Sequence, residues 1–139
     1  MQELALSELS RVVAGVVLIT IVTIEVGGFF LLRVASGGTS FTPFQKSFFR
    51  AGHAHAGVLV TLGLVALLLA DATSLDGPLG WSARLAVPGS AILIPAGFFF
   101  SAMGGGEITR PNRFVFLIWA GAALLAIGVL TLGIGLLST

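Results

Sequence analysis

Four apolar segments, about residues 12–33, 51–70, 85–103 and 114–137, occupy most of a 139-residue chain, and no other feature restricts its fold as strongly. Each is close to the roughly 20 residues that an α-helix needs to cross about 30 Å of hydrocarbon. Backbone groups in lipid have no water to bond, so helices and closed barrels are the spanning solutions. Barrel strands would alternate apolar and polar residues, and no such alternation occurs here. The expected class is therefore an all-α, polytopic membrane protein with one domain over residues 1–139. Charged residues make up only 9% of the chain and hydrophobic ones 56%, against about 25% charged in a soluble domain. Those proportions exclude an ordinary water-soluble globule and a disordered chain.

Short connections centred on Gly37-Gly38, Asp76-Gly77-Pro78 and Gly104-Gly105-Gly106 make consecutive spans antiparallel, which predicts an up-down four-helix bundle. The first connection carries a helix start. Thr42 is placed as N-cap, Pro43 at the first helical position and Gln45 to complete a capping box. Residues 42–50, with Phe41, Phe44 and Phe48 beside Lys46 and Arg50, read either as a segment lying in the headgroup zone or as the snorkelled first turns of the second helix. Pro88 and Pro95 fall in the third span. A proline removes one backbone donor and crowds the carbonyl four residues back, so Pro95 is expected to kink that helix. Sliding the chain on itself matches Gly28-Phe29-Phe30 with Gly97-Phe98-Phe99 and Ala51-Gly52 with Ala120-Gly121. A weak repeat of two helical hairpins would produce such matches.

On the four-span arrangement every Phe, both histidines, Arg33, Lys46, Arg50, Arg110 and Arg113 share one leaflet, whereas Arg11 and Arg84 lie on the other. By the positive-inside rule the connections on the richer side are cytoplasmic and both termini are outside. The expected location is the plasma membrane, as a multi-pass protein. The first apolar run follows Glu3 and Glu8 rather than a basic segment, so it reads as a permanent span and not as a signal peptide.

Glu25 is the sharpest single residue. It lies about 12 Å before Arg33 at the helical rise, and a carboxyl at that depth is costly enough to suggest function. The plainer alternative is a neutral carboxyl hydrogen-bonded between helices. The second signal is Arg50-Ala-Gly-His53-Ala-His55-Ala-Gly57, which opens the second span. His55 reaches toward the depth of Glu25, and a pair between them is possible. His53 and His55 stand about 200° apart on a helix and cannot grip one metal ion together. Ala51, Gly52, Ala54, Ala56 and Gly57 let a helix or a flat ligand approach closely. Glu107 with Arg110 and Arg113 reads as a solvated cluster, and Asp71 and Asp76 as a helix end and a turn.

Three function classes follow. One is a binder or transporter of a small ligand, cation or proton, using Glu25, His53 and His55 with Arg50 and Arg33 nearby. Another is a cofactor module: haem b held by His53 or His55 with Met103 as a second ligand, or a divalent metal held by Glu25 and His55. The third is an accessory subunit docked through small residues such as Ala122, Ala126, Gly128, Gly133 and Gly135. The implied partners are the lipid bilayer and either further copies of the chain or another membrane subunit. A net charge of +1 offers nothing to recruit nucleic acid. No nucleophile and base motif is present, so an enzyme has the least support.

Overall fold

The computed structural model describes residues 5–138 and contains four long helices: α1 Glu8–Ala35, α2 Pro43–Ala70, α3 Gly77–Ala102 and α4 Phe116–Leu137. A 3₁₀ turn, Arg113–Val115, leads into α4, and the described residues contain no strand. All four helices are long and apolar enough to cross a membrane. The chain is thus an all-helical, multi-pass membrane protein.

Three of the helices start before the apolar runs do. α2 runs unbroken from Pro43, so residues 43–50 form its first turns. Its start is the capping box: Gln45 N–H donates to Thr42 Oγ1 at 3.2 Å, and Thr42 N–H donates back to Gln45 Oε1 at 3.1 Å. α3 begins at Gly77 with Pro78 in its first turn, where a missing N–H costs nothing. α1 begins behind Ser7, whose hydroxyl accepts the Ser10 N–H at 3.2 Å.

Apolar burial cannot drive helices together inside lipid, so close packing has to. The tightest seam joins α3 and α4. A Cβ on Gly97 would stand 2.6 Å from Ile118 Cγ1, one on Gly121 would meet Ile94 at the same distance, and one on Gly128 would sit 2.8 Å from Ala86 Cβ. α2 approaches α3 less tightly: a Cβ on Gly52 would stand 3.0 Å from Phe98 and Phe99, and one on Gly63 would meet Pro88 at an ordinary contact distance of 3.5 Å. Val17, Leu59, Val60, Ala91 and Ile94 form one buried cluster, and Ala66, Ala70, Ala83, Val87 and Leu132 another. α1 packs mainly on α2, touches α3 at few points and, among the described residues, makes no helix-to-helix seam with α4. It leans on the other three helices as an outrigger.

The two ends of the bundle are fastened differently. At one end Gln45, 1% exposed, donates from Nε2 to Ala102 O at 3.0 Å. Asn112 N–H bonds Ser101 O and Asn112 Nδ2 bonds Phe100 O, both at 2.9 Å. Phe30, Phe41 and Phe49 pack edge to face, and Phe49 stacks on Phe99. At the opposite end the start of α1 and the end of α4 both meet the α2–α3 connection. Ser7 N–H donates to Asp71 Oδ2 at 2.9 Å, and Gly135 gives room to Leu75. Gly128 and Gly135 are thus occupied within the chain, whereas Ala122 and Ala126 face outward. The small residues of α4 do not form one docking face, because those at positions 121, 128 and 135 follow a stripe that α3 and Leu75 cover.

Candidate functional site

Because α1 stands off from α3, a cleft of about 980 Å³ opens between α1, α2 and α3. Its lining runs on α1 from Val12 to Phe30, about 27 Å at the helical rise, which is nearly the thickness of the hydrocarbon. The walls are aliphatic toward the Asp71 end, with Val16, Leu85 and Ile92, and aromatic toward the other end, with Phe30, Phe41 and Phe99. Pro88 and Pro95 both face it. Each leaves the carbonyl four residues earlier, on Arg84 and Ala91, without its helical donor.

Polar side chains are scarce in this cleft. Thr20 and Thr23 donate their hydroxyls to the backbone of α1, to Val17 O and Thr20 O, each at 2.6 Å. His53 makes no hydrogen bond to any described residue and lies against Gly27 and Gly28; a Cβ on Gly27 would be 3.4 Å from His53 Nδ1, and one on Gly28 would be 3.6 Å from Nε2. Two consecutive glycines in α1 therefore leave a flat seat for the imidazole. His53 is the ring that the cleft offers to a ligand, and Met103 lines the same cavity.

The structure separates the other residues singled out in the sequence. His55 points away from the cleft. Its Nδ1 donates to Ala51 O at 2.7 Å, and its ring lies 5.0 Å from that of Phe98. Glu25 is exposed on the flank of α1 away from the cleft, although Ile24, Val26 and Gly27 line it. Among the described residues, Glu25 forms no ion pair with either histidine, and no group of three or more His, Cys, Asp or Glu side chains could hold a metal ion. Arg33 and Arg50 are exposed at the phenylalanine-rich end, where Arg50 Nε donates to Lys46 O at 3.1 Å.

One polar constellation is larger than its sequence signal. Asp71, read from the sequence only as a helix end, is nearly buried and joins three helices. It accepts the Ser7 N–H and pairs with Arg84, with Nη2 to Oδ1 at 2.9 Å and Nε to Oδ1 at 3.0 Å. Arg84 also donates to Gly80 O at 3.1 Å, and the fully buried Ser10 lies beside the pair. Burial pushes the Asp71 carboxyl upward, but hydrogen bonds from the Ser7 backbone, the Ser10 and Ser7 hydroxyls and Arg84 outweigh it and hold the carboxyl below its ordinary value. The hint in the sequence is Asp71 and Arg84 flanking one short connection; Ser7, 64 residues from Asp71, could not be foreseen.

Fold and cleft together define a four-helix membrane protein with a lateral intramembrane cavity. Compared with models of protein families, with curated proteins and with solved structures, the chain matched none.

Proposed function

We propose that this protein binds a lipid-soluble small molecule in the cleft between α1, α2 and α3, with His53 as its polar anchor. The observation that carries this reading is the single unpartnered imidazole, seated on Gly27-Gly28, in an otherwise apolar cavity that runs most of the membrane's depth. Such a cavity suits an amphiphile with one hydrogen-bonding head and a long hydrocarbon body. The head sits at His53 among Phe41, Phe49 and Phe99, and the body extends along Val16, Leu85 and Ile92. Entry is sideways from the bilayer through the gap between α1 and α3. Given the excess of basic residues at the phenylalanine-rich end, the head faces the cytoplasmic leaflet.

Native mass spectrometry of detergent-purified protein, with organic extraction and identification of the released molecules, tests the reading. The expected result is a co-purifying amphiphile of several hundred daltons, retained about two- to tenfold less well by His53→Phe, as loss of one hydrogen bond implies. Protein with no such molecule in either form, and no uptake of amphiphiles supplied in the detergent, overturns it.

One observation favours a second occupant, haem: Met103 lines the same cavity as His53, and a His and Met pair is an established axial set. A Soret band in the purified protein, lost in both His53→Ala and Met103→Leu, would select haem over the amphiphile.

A further inference from the structure

Glu25 and His55 are two costly groups that the fold leaves uncovered at one depth of the membrane. The contact of His53 with Gly27 and Gly28 sets the register between α1 and α2. From there Glu25 lies two to three residues deeper along α1 and His55 two residues deeper along α2, so the two differ in depth by about 1 Å. Within one chain they face different ways. α2 presents His53 and Val60 to α1 and the cleft, and His55 stands about 200° from His53.

Each belongs to an exposed stripe. On α1 the stripe is Leu18, Val22, Glu25 and Phe29, whose apolar members are 54%, 61% and 72% exposed. On α2 it is His55, Val58 and Leu62, with Val58 67% and Leu62 38% exposed, extended by the half-buried Ala51. The spacing coincides: from Phe29 the steps down α1 are four, three and four residues, and from Ala51 the steps down α2 are also four, three and four. Because the two helices are antiparallel, aligning Glu25 with His55 brings Val22 to Val58, Leu18 to Leu62, and the bulky Phe29 onto the small Ala51. Chemistry matches as well. His55 Nδ1 is spent on Ala51 O, so Nε2 is uncommitted. It accepts from a protonated carboxyl, or its N–H donates to a carboxylate, and one proton serves the pair in either state.

We propose that copies of this chain associate in the membrane by laying the outer stripe of α1 on the outer stripe of α2 in the next copy, with Glu25 hydrogen-bonded to His55 across the contact. The two stripes belong to different faces, so the interface is head-to-tail and repeats from copy to copy around a ring. The contact lies outside the cleft and does not depend on what the cleft holds.

The chain contains no cysteine, which makes the test direct. Differently tagged Glu25→Cys and His55→Cys chains are co-expressed and oxidised in native membranes with copper phenanthroline. A mixed dimer is expected, with little product from either variant alone. Val22→Cys with Val58→Cys tests the same register without touching the polar pair and is expected to cross-link likewise. In detergent, Glu25→Leu should dissociate at roughly three- to thirtyfold higher protein concentration than wild type, and Glu25→Gln, which still donates to Nε2, should lie between them. Absence of both mixed dimers from chains that purify as folded protein overturns the proposal. So does Glu25→Cys cross-linking mainly to itself or to a different membrane protein.

Discussion

Asp71 shows how one residue's chemistry is set by partners far away in the chain. Its carboxyl is held below the ordinary value by donors from Ser7, Ser10 and Arg84. The stabilisation that follows is fully present above the unfolded carboxyl's value of 3.8 and is lost as pH falls through the lower folded value. Thermal unfolding in detergent should therefore change little with Asp71 ionisation between pH 5 and 8 and should weaken below about pH 4. Asp71→Asn should lower stability near neutral pH by about 1–3 kcal/mol, because Arg84 then loses its counter-charge at the membrane edge. That variant should also lose part of the acid dependence. An Asn variant with wild-type stability at neutral pH would show that the knot contributes nothing. Gln45 works similarly at the other end, where its side chain completes the cap of α2 and reaches Ala102 O on α3. The capping box is local and legible from Thr42 and Gln45; the bridge to α3 is not, since Ala102 is 57 residues away.

At the scale of elements, glycine has two uses that the sequence does not distinguish. Gly97 and Gly121 sit where α3 and α4 touch, and a Cβ on either would come within 2.6 Å of an isoleucine carbon, with backbone nitrogen at 2.7 Å in the case of Gly97. Gly27 and Gly28 sit where a Cβ would meet His53 at ordinary contact distance. Gly97→Val should accordingly separate α3 from α4 and lower the unfolding temperature by several degrees, in line with a cost of about 1–3 kcal/mol for overpacking. Gly27→Ala should be nearly neutral for stability. Equal effects in a side-by-side thermal denaturation would refute this division. The same distinction explains α4, whose glycines looked available for a partner by composition; the stripe at positions 121, 128 and 135 is consumed by α3 and Leu75, and Ala122 and Ala126 lie on another side.

In the whole molecule, α1 is the element with least cover. It is pinned by Asp71 at one end and by Phe30 among Phe41 and Phe49 at the other, with the cleft between. An occupant of the cleft should tie α1 to α3 over its length. Hydrogen exchange of the α1 backbone in detergent should slow when an amphiphile is bound, while exchange in the α3–α4 pair should scarcely change, because that pair is already closed. Equal slowing in all four helices would point to general detergent effects instead of binding in the cleft.

The sequence by itself determined the number of spans, their helical nature, the capping box and the gathering of phenylalanine and basic residues at one end. These depend on composition, periodicity and chain direction, which are local properties. Glu25 and the two histidines were also conspicuous from sequence, since polar groups are rare and costly in lipid. Only the tertiary structure decided that His53 turns into a cleft while Glu25 and His55 face outward, that three of the α4 glycines, at positions 121, 128 and 135, are spent inside the chain, and that Asp71 gathers three helices. A helix reveals its own faces in its sequence, but which neighbour covers each face follows from how closely backbones can approach, and that depends on residues contributed by both helices at every seam.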